Sequence, residues 1–366
     1  MASVREIAQA SGVSITTVSR VLNNSSQVAQ ETRDRVLEAT KRVGYVHTIG
    51  RRNTSSIALA YTALMDQQIG SPFDAPLMRG IAAALSEFGF DLMVLDLTRA
   101  REPGERFAQM FLRKGIRGVI LRTTQGSRHI AEEIASEEFP AVVVADRFET
   151  QNDISFVEGD SRASSREAID YLIGLGHERI AIVIFSEEIA DMRDRLAAYT
   201  AAHEAAGLEV DPRLIIRVPF PLGRDIGSVV MRRVLTLPEM PTALFLTDSH
   251  TSIHVLSEAY RLGVRVPDDL SIVGFDDSEA RLGTAPQMSA VCQDASATGR
   301  AAVAALRRLL DSRPKLDVVH EVLPTWFEAR ESTGPARRAA DRVLEAAPGA
   351  VALGGVSPLR SREVIP

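Results

Sequence analysis

Between residues 3 and 43 the apolar positions recur three and four apart; after residue 56 they gather into short runs. The first spacing is that of amphipathic helices, the second that of buried strands. Ser3 followed by Glu6 has capping-box spacing and predicts a helix from Val4, with Ile7 and Ala8 inward, ending near Ala10. Gly12 can take positive φ at the turn, and Ser14 is placed to cap a second helix. In that helix, within "SGVSITTVSRVLNN", Val18, Val21 and Leu22 form one buried stripe. The opposite face is Ile15, Thr16, Ser19 and Arg20. A merely solvated face would carry Glu and Lys; this one is small, polar and suited to close contact. A third helix, about Gln30 to Val43 with Val36, Ala39 and Val43 on one side, completes a helix-turn-helix. Such a unit sets its second helix in the DNA major groove.

From about Ser56, runs such as "IALAYT", "DLMVLDL", "GVILRT" and "AVVVADR" alternate with amphipathic segments such as "MRGIAAALSEFG" and "HIAEEIASE". This is βαβ alternation, hence a parallel sheet with helices on both faces. The alternation repeats after "SREAIDYLIGLG", through "RIAIVIF", "ALFLT" and "LSIVGFDD", giving two lobes of similar build. Open α/β sheets bind ligands at the carboxyl ends of their strands, which here define a cleft between lobes. The sequence divides into a head over 1–46, a hinge over 47–55, a body over 56–334 and an Ala-, Gly- and Pro-rich tail over 335–366, read as loose.

Composition adds compartment and charge. The 366 residues are 45% hydrophobic and 25% charged, as in ordinary globular chains. A single cysteine, Cys292, forms no internal disulfide and fits a reducing compartment. No secretory signal and no membrane span is visible, so a cytoplasmic location is expected. The net charge is −6, yet residues 1–53 hold eight Lys and Arg against Glu6, Glu31, Asp34 and Glu38. A basic head on an acidic body suits an anionic partner for the head alone.

"GVSITTVSRVLN", "GLGHERIAIV", "DRLAAYTAA", "VPDDLSIVGFDD" and "EARESTG" occur in that order. Together they make residues 3 to 334 resemble the LacI/GalR family of bacterial transcription regulators. The resemblance implies an all-α helix-turn-helix head plus an α/β two-lobed, periplasmic-binding-protein-like (type I) body. It also implies a repressor whose head binds double-stranded DNA and whose cleft binds a small effector. In the family the second helix reads bases from its N-terminal half, here Ile15, Thr16 and Arg20. Arg20 can donate to guanine O6 and N7, and Ile15 can touch a thymine methyl. Hydroxyls of Ser14, Thr17 and Ser19 can reach phosphate, although Ser14 also reads as a cap only and Thr17 as a surface residue.

The hinge departs from the family pattern. Tyr45 is kept, but His47, Thr48, Arg51 and Thr54 replace the usual proline, asparagine, alanine and leucine. Thr54 is a poor minor-groove wedge, and Gly50 weakens a helix. Arg51 and Arg52 can enter a narrow minor groove instead. A less helical, less DNA-bending hinge is expected.

For the cleft, the resemblance assigns Arg195 and Asp276 to the effector, with Asp146 in the equivalent place of the first lobe. Arg plus Asp is the usual set for a ring with vicinal hydroxyls. Phe73 offers a stacking face, Arg122 follows its strand toward the cleft, and Gln293 faces the site in some relatives. At "FLTDSH" the family commonly has Asn-Asp where this chain has Asp248-Ser249, and the alignment can slip by one. Bland readings stand beside these: Arg195 pairing with Asp276, Phe73 as core, Arg122 at the surface. His177 in "GLGH" reads as a structural residue at a helix-strand junction.

"GLGHER" ends a helix and precedes a strand, the reverse of a dinucleotide loop. There is no HExxH, no GxSxG and no paired cysteine, so no enzyme, cofactor or metal is expected. The reading is a homodimeric repressor on a near-palindromic operator, released by a sugar-like effector. A purine-like corepressor, a protein-partner signal or a sugar-binding protein without a DNA role are the alternatives. The tail leaves dimer and tetramer both open.

Overall fold

The computed structural model describes residues 3–22, 28–43, 56–62, 71–123, 128–147, 154–186, 190–219, 223, 225–312 and 318–337. The chain through Ala336 forms one compact unit; of the second, Arg337–Pro366, only Arg337 is among the described residues.

The head is three helices, α1 (Val4–Ser11), α2 (Ile15–Leu22) and α3 (Gln30–Arg42). The capping box is present in both directions: Glu6 N donates to Ser3 Oγ at 3.3 Å and Ser3 N to Glu6 Oε2 at 2.9 Å. Gly12 closes α1 at φ +67°, so α1 runs one residue past the expected Ala10. Ile7, Val18, Val21, Val36 and Ala39 are buried together, with Leu22 and Val43 partly buried against them.

The body's first lobe contains β1 (Ser56–Tyr61), α4 (Asp74–Glu87), β2 (Asp91–Asp96), α5 (Leu97–Ala100), α6 (Phe107–Arg113), β3 (Ile116–Arg122), α7 (Arg128–Ser136), β4 (Ala141–Val144) and β5 (Ser155–Asp160). The second contains α8 (Arg162–Gly174), β6 (Ile180–Phe185), α9 (Ala190–Ala205), β7 (Ile215–Val218), α10 (Ile226–Leu235), β8 (Ala243–Leu246), α11 (Ser249–Arg261), β9 (Ser271–Phe275), α12 (Glu279–Leu282) and β10 (Ser289–Gln293). Then α13 (Ala295–Asp311) and β11 (His320–Glu328) follow. Strand order is β2-β1-β3-β4-β5-β11-β10-β9-β8-β6-β7. Every pairing is parallel except β10 with β11. The central strands β1, β6, β8 and β9 are almost wholly buried, as near-continuous apolar runs in a parallel sheet must be.

Two features tie the lobes together that hydrophobic periodicity does not reveal. First, α13 leaves β10 of the second lobe and packs on α4 of the first. Glycine permits this approach: a Cβ at Gly80 would sit 2.1 Å from the Ser296 carbonyl oxygen, and one at Gly299 2.4 Å from that of Leu77. Second, β11 belongs to both sheets. His320–Pro324 pair with β5, and Thr325–Glu328 pair with β10, Trp326 opposite Cys292. Pro324, which has no N–H for a ladder, stands where the partner changes. Ala336 N donates to Leu175 O at 2.9 Å, fixing the end of the body. No helix among the described residues is long and apolar enough to cross a membrane.

Candidate DNA-reading face and effector cleft

On α2 the stripe Val18 and Val21 faces the head core, which turns the opposite side outward. Ile15 is 50% exposed, and Thr16, Ser19 and Arg20 are exposed with it. Ser14 is a cap: its Oγ accepts from Thr17 N at 3.1 Å and pairs with Thr17 Oγ1 at 2.8 Å. Tyr45, Arg51, Arg52, Thr54 and the rest of the expected hinge lie outside the described residues.

In the body, charged side chains converge at the carboxyl ends of strands from both lobes. In the first lobe Arg122, at the end of β3, donates to Asp74 at 2.8 and 3.2 Å. Tyr61 Oη and Ser71 Oγ donate to the same carboxylate. Burial alone would lower the Arg122 pKa; the charge and hydrogen bonds of Asp74, with Tyr61 and Asp146 adding, together more than reverse it. Phe73 is only 9% exposed, with Arg122 5.1 Å over its ring, so it packs in the lobe core rather than offering a bare stacking face. Asp146, just after β4, is buried and accepts from Arg128 at 2.6 and 3.2 Å, from Thr123 Oγ1 and from Arg147 N.

In the second lobe Arg195 is buried and donates to Asp191 at 2.9 Å, to Thr247 O at 2.6 Å and to Ser161 Oγ at 3.3 Å. Its guanidinium lies 3.6 Å over the Phe275 ring. The partner of Arg195 is thus Asp191, not Asp276. The Asp276 carboxylate instead accepts from Ser249 Oγ at 2.8 Å and Gln293 Nε2 at 2.5 Å. Gln293, at the end of β10, is therefore a positioning group for Asp276. Asp248 caps α11 by accepting from Thr251 N at 2.7 Å. Burial, then the Asp276 charge, pushes its carboxyl up to about 6 although it keeps partial surface exposure.

The lobes meet through Arg147, which bonds Asp194 on α9 at 2.8 Å and Glu158 on β5 at 3.3 Å. Burial drives Asp191 upward too, Arg195 opposes it, and Asp146 of the other lobe adds to the rise. Backbone strain falls at the same strand ends. Ala145 has φ +54° immediately before Asp146, and Asp276 has φ +69°. Non-glycine residues held there cost about 1–3 kcal/mol each and cluster at functional sites.

His177 joins Thr242 Oγ1 and Gly334 O, each at 2.9 Å, a structural tie as expected from the sequence. The sequence reading missed Asp74, Arg128, Arg147, Asp191 and Asp194. Asp191 had a signal, its four-residue spacing from Arg195 on one helix. Arg128 and Arg147 had none beyond adjacency to a strand end.

Known proteins of this build share both parts. Residues 3–47 match the bacterial regulatory proteins of the lacI family, and 59–219 match the periplasmic binding proteins and sugar binding domain of LacI family. Residues 169–333 match a periplasmic binding protein-like domain. The HTH-type transcriptional repressor CytR of Escherichia coli K12 is 31% identical over 304 residues, covering 82% of this chain and 88% of CytR. The HTH-type transcriptional regulator CelR of Thermobifida fusca is 31% identical over 335 residues, 89% of this chain and 96% of CelR. A solved CelR–cellobiose complex superposes with a TM-score of 0.67 at 29% identity, covering 91% of this chain and all of that one. With a matching head, a matching two-lobed body and regulators as relatives along most of its length, the chain belongs to the LacI family of bacterial transcriptional regulators.

Proposed function

We propose that the chain is a cytoplasmic repressor whose heads, brought as a pair by a homodimer, hold a near-palindromic operator until a small hydroxylated effector enters the cleft. The observation that carries this reading is the facing of two sets of strand ends lined by Arg, Asp and Ser side chains, bridged by Arg147. Such a lining suits a molecule with several hydroxyls, and the related CelR was solved with cellobiose. Arg20 and Ile15 supply base contact, and Thr16, Ser19 and the capping pair Ser14 and Thr17 flank them on the same helix. Effector binding need only favour one lobe arrangement by about 1–3 kcal/mol to release DNA. No chemistry is turned over in this reading, and no cofactor is used.

Thermal stabilisation against mono- and disaccharides, sugar acids, sugar phosphates and purines tests it. A ligand at 100 times its Kd adds about 2.7 kcal/mol. The hit should release operator DNA in a gel-shift assay. Arg20→Ala should abolish specific DNA retention and keep the ligand shift. Arg195→Ala should keep DNA retention and lose the shift. A ligand that tightens operator binding makes the molecule a corepressor and overturns release.

A further inference from the structure

The effector reading can be taken further, because the charges around the cleft do not balance. Each arginine there is already committed to an acid: Arg122 to Asp74, Arg128 to Asp146, Arg147 to Asp194 and Glu158, Arg195 to Asp191. Asp248 and Asp276 are different. They stand at the ends of the adjacent strands β8 and β9, and among the described residues neither is ion-paired. Asp276 is held by the neutral donors Ser249 and Gln293, and Asp248 by the backbone N–H and side chain of Thr251. The two carboxylates repel each other, part of why Asp248 is pushed up to about 6 after burial.

One buried hydroxyl near them, Ser278 Oγ, two residues after Asp276, has no partner among the described residues, and Ser278 is more than nine-tenths buried. Buried hydroxyls are ordinarily satisfied, and a ligand's own hydroxyls can supply the missing bonds.

We propose that the effector of this cleft is a hydroxylated molecule bearing a protonated amine, an amino sugar in chemical class, with the ammonium set between Asp248 and Asp276. The claim rests on the effector reading above. A carboxylate can only accept hydrogen bonds, so the ligand group facing it must donate, and an ammonium donates three. A ligand carboxylate or phosphate in the same place meets like charge at low dielectric and is rejected.

The test uses the full chain and matched quartets: D-glucose, D-glucosamine, D-glucuronate and D-glucose 6-phosphate, with the same four for galactose and mannose. Dissociation constants come from calorimetry at pH 7. In the quartet that binds, the amine should bind at least about tenfold tighter than its neutral parent, and the acid and phosphate more weakly than the parent. Asp248→Asn keeps a capping side chain, so it should fold. It should erase the amine preference, bringing the ratio of amine to neutral-parent Kd to within about twofold of one. An acid or phosphate that binds tighter than its parent overturns the proposal while the effector reading stands. So does a neutral parent bound with no amine preference. Silence of every quartet overturns this proposal; the effector reading falls with it only if the disaccharides and purines of the thermal panel are silent too. A ligand-free measurement checks the premise: at pH 8 and low salt Asp248→Asn should raise Tm by relieving the repulsion, and a fall overturns the premise.

Discussion

Glu158→Gln isolates one carboxyl at the junction of the lobes. The Glu158 side chain is 4% exposed on β5. Burial, with Asp191 and Asp194 nearby, pushes it up to about 7 from an ordinary 4.5, against the pull of Arg147. The folded-state pKa lies above the unfolded one, so folding takes up a proton between these values. The stability this contributes is fully present below about pH 4.5 and is lost as pH rises through about 7. At 1.36 kcal/mol per pKa unit, the loss between pH 5 and pH 8 is about 2–3 kcal/mol. Glutamine does not titrate. Urea unfolding of the full chain followed by circular dichroism should therefore show the variant gaining about 2–3 kcal/mol on wild type from pH 5 to pH 8. Any fixed loss from the weakened bond to Arg147 is the same at both pH values and cancels. Equal differences at the two pH values, within about 0.5 kcal/mol, refute the reasoning.

Two further substitutions test the frame. Gly299→Ala gains helix propensity but drives a Cβ to 2.4 Å from the Leu77 carbonyl oxygen and 2.9 Å from Ile81 N. Backbone cannot yield as a side chain can, so a net destabilisation of about 1–3 kcal/mol is expected in urea, and a stabilised variant would show that α13 does not press on α4 as described. Ser14→Ala removes the cap of α2 and should lower head stability by about 1 kcal/mol in a thermal melt of the head signals. An unchanged melt would mean the hydroxyl serves DNA alone.

Much of the head was legible because its determinants are local. A capping box, a positive-φ glycine and an i, i+3, i+4 stripe are all written within a few residues. The alternation of runs and amphipathic segments likewise carried the two parallel sheets. What stayed hidden was long-range. Nothing in "ASATGRAAVAALRRLLD" says that this helix returns to the first lobe; the two glycines that make it fit are 219 residues apart, at positions 80 and 299. Arg122 was found by its strand end but its acid was not, since it meets Asp74 across 48 residues; Arg147, which meets Asp194 across 47, was missed with its acid. The bland alternative to effector contact, Arg195 paired with Asp276, does not occur, because Asp191, one helical turn from Arg195, wins by proximity.

The strand shared by the two sheets has an optical consequence. Trp326 is the chain's single tryptophan, sits on β11 just past the change of partner and is 41% exposed. Light absorbed at the red edge of the aromatic band is therefore emitted from the joint between the lobes and from nowhere else. The molecule carries its own intrinsic gauge at the hinge, so a rotation of one lobe against the other, or its suppression by an effector, can be followed in unlabelled protein as a change in emission colour and in quenching by a dissolved anion.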